Sequence, residues 1–134
     1  MFAQDLSWML EDIRKVPGAR HALLLSADGL RRGATENLHP DLADTAAAAM
    51  SALQSISRST NEFAGPADPP LWRQTVVEFD HGWVFLIKAG DGAFLAVSAS
   101  ESVDMGDITF RMQQLVQRLG REMTSPPREK ADDR

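Results

Sequence analysis

An α+β domain built on a single antiparallel sheet is the fold the sequence predicts, and three observations predict it. Five short apolar runs fall into two groups joined by hairpin signals: Asp28-Gly29 in the first group, His81-Gly82 and Gly90-Asp91-Gly92 in the second. Three stretches with helical spacing of apolar residues stand before, between and after those groups. Pro and Gly clusters mark the main boundaries. Hairpin-connected strands with helices set apart from them give one five-stranded antiparallel sheet carrying three helices, in the order α-β-β-α-β-β-β-α. The 134 residues suit a single domain over 1–123 and a tail over 124–134.

The first helix runs from Asp5, a suitable cap, to about Lys15, with Leu6, Met9, Leu10 and Ile13 on its buried stripe. Trp8 falls on the opposite side, among Glu11, Asp12 and Lys15. Pro17-Gly18 ends this helix, because proline disfavours helix in the residue before it. Arg20–Ala27 is a strand by its length and apolar centre, and Asp28-Gly29 turns it into the short strand Leu30–Thr35. Arg31 and Arg32 suit an edge strand kept from pairing with strangers.

Pro40 to Phe63 reads as one continuous helix. Proline at the first helical position needs no N–H partner, and Asp41 and Asp44 suit the positive end of the dipole. Leu42, Ala46, Ala49, Leu53 and Ile56 form the stripe expected to face the core, with Met50 and Phe63 at its margins. Ala48, Ser51, Ala52, Ser55 and Ser59 make a second face of small residues. Two readings of it stand side by side: it receives another helix, such as the same helix of a second copy, or it is a solvated face of good helix formers.

Ala64–Pro70, with three prolines and a glycine, is a loop. The strands Leu71–Asp80, Trp83–Ala89 and Ala93–Ala99 then form a meander, and the second is apolar on both faces, which places it in the sheet interior. The last helix begins near Asp104, with Asp107 in a capping-box-like position. Its stripe is Met105, Ile108, Met112, Leu115, Val116, Leu119 and Met123, and Phe110 lies off it. From Thr124 the chain is polar and aperiodic, and disorder is expected. For Trp8 and Phe110 the expectation is that they fill a seam between the two terminal helices; the alternative is that they are exposed anchors for a partner.

Composition narrows the function classes. Hydrophobic residues at 43% and charged residues at 25% are ordinary for a soluble globular protein, and a net charge of −5 argues against nucleic acid as the main partner. The absence of cysteine excludes disulfides and thiolate chemistry. No stretch has the length of a membrane span, and the N-terminus does not read as a signal peptide, so a cytoplasmic protein is expected. Gly90-x-Gly92 lies between two strands and reads as a hairpin turn, and no P-loop sequence is present. His21, His39 and His81 have no metal-ligand spacing, and His39 is more simply a helix-start residue. Ser26 sits in a hairpin rather than a nucleophile elbow. No catalytic, cofactor-binding or metal-binding residue can be named, and a non-enzyme is expected.

Several pieces in this order resemble the roadblock family, the roadblock-type dynein light chains and their bacterial relatives. They are Asp5-Leu6-x-Trp8-Met9-Leu10, Val16-Pro17-Gly18-x-Arg20-His21-Ala22, Leu24-Leu25-Ser26-Ala27-Asp28-Gly29-Leu30 and Leu53-Gln54-Ser55-Ile56-Ser57. The run from Val16 to Leu30 is similar to the actinobacterial form encoded beside a small Ras-like GTPase and a histidine-kinase-like sensor. Two departures are Arg31 and Arg32, where many relatives are apolar, and the proline-heavy loop at 64–70. The resemblance implies a homodimer whose central helices pack together and whose third strands join two sheets into one. It implies a non-catalytic adaptor or regulator of a small Ras-like GTPase, with a histidine-kinase-like sensor as a further partner. On that basis the interface would use Ala48, Ser51, Ala52, Ser55 and Ser59, together with Gln74, Thr75 and Val76 on the third strand. A small-molecule-sensing domain or a purely structural scaffold is the alternative; sensing would need a polar cluster on the inner strand face, and Val84, Phe85, Leu86 and Ile87 offer none.

Overall fold

The computed structural model describes residues 5–65 and 71–124. The first helix is α-helical over Ser7–Leu10 (α1) and tightens to a 3-10 helix over Glu11–Lys15. There follow β1 (Ala19–Ser26), β2 (Arg31–Ala34), α2 (Pro40–Arg58), α3 (Asn61–Ala64), β3 (Gln74–Phe79), β4 (Gly82–Lys88), β5 (Ala93–Ser100) and α4 (Met105–Thr124). The strands make one sheet in the order β2-β1-β5-β4-β3, antiparallel throughout. The predicted α+β class and the five-stranded sheet are observed, with β4 interior and β2 at an edge as expected. The expected loop at 66–70 and the tail at 125–134 lie outside the described residues.

The sheet is covered on both faces, and strand alternation decides which side chain goes where. Ala22 and Leu24 of β1, Phe85 and Ile87 of β4, and Leu95 and Val97 of β5 join the core under the terminal helices. Leu6, Met9, Leu10, Ile13, Ile108, Met112, Leu115 and Leu119 close that core from above. The intervening residues Leu23, Leu25, Leu86, Phe94 and Ala96 face the other way, onto Ala43 and Ala47 of α2. The stripe expected of the first helix is fully buried, while on α4 Met105 is exposed and the burial begins at Ile108. Asp104 does cap α4, its Oδ1 accepting from the Asp107 N–H at 2.8 Å. Gly18 ends the first helix with φ of +93°, and a Cβ there would lie 3.2 Å from the Val103 backbone, so the turn requires glycine.

Two expectations are corrected in the central helix. The stretch 40–63 is not one helix. It breaks after Arg58, where Ser59 Oγ and Thr60 Oγ1 donate to the carbonyls of Ile56 and Ser57 at 2.6 and 2.7 Å. Those hydroxyls satisfy the last carbonyls of the helix, and α3 is a separate turn, giving four α-helices rather than three. The second correction is rotational. The buried residues of α2 are Ala43, Ala47 and Gln54, not Leu42, Ala49 and Ile56, of which Leu42 and Ile56 are 54% and 64% exposed. The helix is turned by about one residue, roughly 100°, from the expected orientation. Its alanines allow close approach to a sheet face already crowded with Leu23, Leu25 and Phe94, so bulk comes from the sheet and the helix contributes its smallest side.

Candidate interaction surface

That rotation leaves α2 with two unlike flanks. On one flank, Ser51 Oγ donates to the Ala27 carbonyl at 2.6 Å. A Cβ on Gly29 would lie 3.6 Å from Ala48 and 3.7 Å from Ser51, so the small residues receive the β1–β2 turn of the same chain. Ala52, Ser55 and Ser59 continue this side and are exposed. On the other flank, Leu42, Ala49 and Ile56 stand exposed, with Ala46 and Leu53 half-buried behind them. This apolar flank overlooks β4 and β5. Between them lies a cavity of about 190 Å³ walled by Leu23, Leu38, Leu42, Ala46, Met50 and Val84.

The same side of the molecule ends in β3. Thr75 and Val77 stand opposite Leu86 and Val84, and Phe79 opposite Gly82, so these three share the sheet face that α2 covers. Thr75 is held within the chain: its Oγ1 accepts from Trp72 Nε1 at 2.9 Å and donates to Ser57 Oγ at 2.8 Å. Phe79 is 61% exposed. Gln74 and Val76 are exposed on the opposite face of the strand. Sequence reasoning missed Leu42, Ala49, Ile56 and Phe79 as surface residues. The signal for them was a helix with more apolar width than one sheet can cover.

Trp8 and Phe110 do not fill the seam between the terminal helices; they are 59% and 60% exposed. Ile13 and Leu115 occupy the bottom of that seam, and an Arg118 guanidinium donating to Asp12 spans its top. Arg118 and, less strongly, Lys15 hold the Asp12 carboxyl below its ordinary value against the opposing effect of burial. The Asp5 carboxyl is lowered too, chiefly by hydrogen bonds from the Ser7 hydroxyl and N–H.

The histidines are dispersed. His39 caps α2, its Nδ1 accepting from the Asp41 N–H at 3.1 Å. His21 lies beside Asn37 at 3.2 Å and His81 beside Glu101 at 2.7 Å. Among the described residues no three His, Asp or Glu side chains gather as a metal site, and no helix is long and apolar enough to cross a membrane. What the geometry offers is surface: an apolar helix flank, a cavity and a strand edge on one side of the molecule.

The Roadblock/LC7 domain family model matches residues 7–99. Among solved structures, a Roadblock/LC7 domain from Streptomyces avermitilis is 35% identical, with a TM-score of 0.83 over 91% of this chain and 100% of that one. An MglB in a tetrameric arrangement is 22% identical with a TM-score of 0.73, over 85% of this chain and 84% of its own. Myxococcus xanthus MglB is 12% identical with a TM-score of 0.81, over 93% and 94%. These last two are likenesses of fold alone. No curated protein matches the chain. With its family model covering most of the folded residues, the chain belongs to the Roadblock/LC7 domain family.

Proposed function

We propose that this chain is a non-catalytic, cytoplasmic, homodimeric adaptor that regulates a small Ras-like GTPase, with a histidine-kinase-like sensor as a further partner. The observation that carries the reading is the coincidence, on one side, of the exposed apolar flank of α2 with an edge of β3 that pairs with no other strand among the described residues. Large apolar side chains at a surface mark an interaction site when they are contiguous, and an open strand edge invites another strand. A twofold axis beside β3 serves both needs in a self-complementary way, pairing third strands and laying the two α2 flanks together. Leu42, Ala49 and Ile56 would form the centre of that interface, with Gln74, Thr75 and Val76 at the strand junction. Ala48 and Ser51, already occupied by their own hairpin, would stand aside. MglB, which shares the fold, is known in a tetrameric arrangement, so this architecture does assemble.

The cavity beside α2 favours the second copy over a small-molecule ligand. At about 190 Å³ it is smaller than the ~300–1,000 Å³ of ordinary ligand sites, and it suits an inserted side chain. The GTPase reading rests on family membership, since members act as platforms for such GTPases. A preformed dimer surface loses little conformational entropy on binding.

Two measurements test the proposal. Light scattering of the purified chain is expected to give twice the 14.7 kDa chain mass; a monomer at high micromolar concentration overturns the dimer. Calorimetry is expected to show no binding of GTP by the chain alone, and binding of a small Ras-like GTPase in one nucleotide state more than the other. Micromolar GTP binding by the chain, or no binding of the GTPase loaded with GDP or with a GTP analogue, overturns the adaptor reading.

A further inference from the structure

Among the described residues Phe63 is the most exposed large apolar side chain, at 97%. It stands on α3, directly after the break that ends α2. At the other end of α2 the sheet has an unfilled corner. The cavity of about 190 Å³ beside Leu38 and Leu42 shares Val84 and Ser98 with a second cavity of about 290 Å³, which Arg20, Phe79 and Gly82 help to line. Leu42 and Arg58 lie roughly 24 Å apart along the helix at ~1.5 Å per residue, so Phe63 cannot reach that corner in its own chain.

A second copy can bring it there, by two independent routes through the fold. The first is the helix. α2 runs from Pro40 to Arg58, so its midpoint is Ala49, and the exposed flank of Leu42, Ala49 and Ile56 is symmetric about that same residue. Two such flanks laid antiparallel about a twofold axis at Ala49 set Leu42 against Ile56, and the end of one helix beside the start of the other. The α3 turn of one copy then projects past the start of the other copy's α2, where the corner lies. The second route is the sheet. Ser57 sits by Thr75 of β3, their hydroxyls 2.8 Å apart, whereas Leu42 shares a cavity with Val84. Val84 stands opposite Val77, and Gly82 opposite Phe79. The end of α2 therefore belongs to the start of β3, and the start of α2 to the end of β3. Pairing two third strands antiparallel brings the start of one to the end of the other. That again carries Phe63 to the second copy's Phe79 and Val84.

The charges beside these groups are complementary. Glu62, next to Phe63, is exposed and has no cation partner among the described residues. At the corner, the Arg20 guanidinium donates to the His81 carbonyl at 3.3 Å and meets no carboxylate among the described residues. Glu101 is engaged there by His81 at 2.7 Å. We propose that Phe63 of each copy docks in the corner of the other, against Leu38, Leu42, Phe79 and Val84, with Glu62 paired to Arg20. The proposal rests on the twofold arrangement proposed above and names the contact that locks it. The occupant is a second copy because each chain supplies both halves, the corner and the aromatic, in self-complementary form.

The chain has no cysteine, so introduced pairs report the contact directly. In Leu42→Cys with Ile56→Cys, and in Leu42→Cys with Phe63→Cys, the two thiols of one chain are too far apart for a short bismaleimide, and cross-links form only between copies. Both variants are expected to give a covalent dimer. Sedimentation of a dilution series is expected to show the dissociation constant raised about tenfold by Phe63→Ser. Arg20→Glu and Glu62→Arg are each expected to raise it about threefold, and the two together to restore the wild-type value. All three side chains are exposed, so the variants should fold, and circular dichroism is recorded alongside. A dimer that cross-links through Ile56 and not through Phe63 overturns this contact and leaves the dimer standing. So does a dissociation constant unmoved by Phe63→Ser, or a double charge reversal weaker than either single one. A wild-type monomer overturns the dimer and this contact together.

Discussion

The two edges of the sheet are built on opposite plans. At the β2 edge, the outer backbone is closed from within the chain: Ser7 Oγ accepts from the Ala34 N–H at 3.0 Å and Glu11 Oε2 from the Glu36 N–H at 2.7 Å. The strand is four residues long and irregular in register near Leu24 and Leu25. Arg31 on it is tied to Asp44 of α2 at 3.0 Å. Shortness, bulging and charge are the ordinary devices against strand addition. At the β3 edge, among the described residues, the strand is neither short nor bulged, and Glu78 is its one charge. The strand has six residues, its centre is the β-favouring Thr75-Val76-Val77, and among the described residues no side chain covers its backbone in the way Ser7 and Glu11 cover β2. The flanks of α2 repeat the asymmetry, with Ala48 and Ser51 beside the chain's own hairpin toward β2 and the large side chains of Leu42 and Ile56 exposed toward β3. Among the described residues one edge is guarded and the other is not, and this direction is what the proposed dimer uses.

The largest expected effect breaks that comparison at its open side. Ile56→Glu puts a carboxylate into the apolar flank; burying it unpaired against a second copy is prohibitive, and light scattering should show the chain mass instead of twice that mass. Ser55→Glu, one residue away on the small flank, should leave the dimer intact. The reverse outcome, a monomer from Ser55→Glu and a dimer from Ile56→Glu, would return the interface to Ala48, Ser51, Ala52, Ser55 and Ser59.

The reason these flanks could be confused lies in what a sequence pattern contains. The first helix was legible because Leu6, Met9, Leu10 and Ile13 are large and have one sheet to bury against. The run Leu23-Leu24-Leu25 was legible as the apolar centre of a strand, and Asp28-Gly29 as its turn. For α2 the pattern shows which side is apolar and not which protein chain covers it. Leu42, Ala49 and Ile56 have the spacing of a core stripe, while Ala43 and Ala47, which do face the sheet, carry little hydrophobic weight and are as readily explained by helix propensity. Trp8 and Phe110 were legible as off-stripe residues, but the seam they were expected to fill was closed by the Asp12–Arg118 pair, a contact 106 residues apart in sequence that no local pattern announces. The break of α2 at Ser59-Thr60 depends on hydroxyls turning back to the helix carbonyls, which serine and threonine do in some contexts and not in others.

A smaller effect sharpens the closed side. Ser7→Ala removes the hydroxyl that accepts from the Ala34 N–H and leaves a partly buried donor without it. The expected loss is about 0.5–1.5 kcal/mol, read as a lowered melting temperature with the oligomeric mass unchanged. If the edge argument is right, the variant should also associate beyond the dimer on standing at high concentration, since a guarded edge has been opened. A variant that melts lower and stays strictly dimeric would mean that Arg31 and the short strand are guard enough. One that melts as the wild type does would mean that water replaces the hydroxyl at no cost.

The smallest effect concerns the ion pair that ties the first helix to α4. Asp12 is held below its ordinary carboxylate value by Arg118 and Lys15, so the folded chain favours the ionised form more than the unfolded chain does. The stabilisation is therefore complete above the unfolded value of 3.8 and is lost as pH falls through the lower folded value. Both side chains are well exposed, Arg118 at 40% and Asp12 at 42%, so solvent and salt screen the pair. The contribution should be less than about 1 kcal/mol at neutral pH. Asp12→Asn should then melt slightly below the wild type at pH 7, and the gap should narrow with added salt. It should close as the pH is taken below 3.8 and through the lowered value of the folded carboxyl group, where the wild-type carboxylate is protonated as well. A gap that persists unchanged at the acid end would show that asparagine disturbs the packing of Ile13 and Leu115 rather than the charge, and that the top of the seam is held by shape.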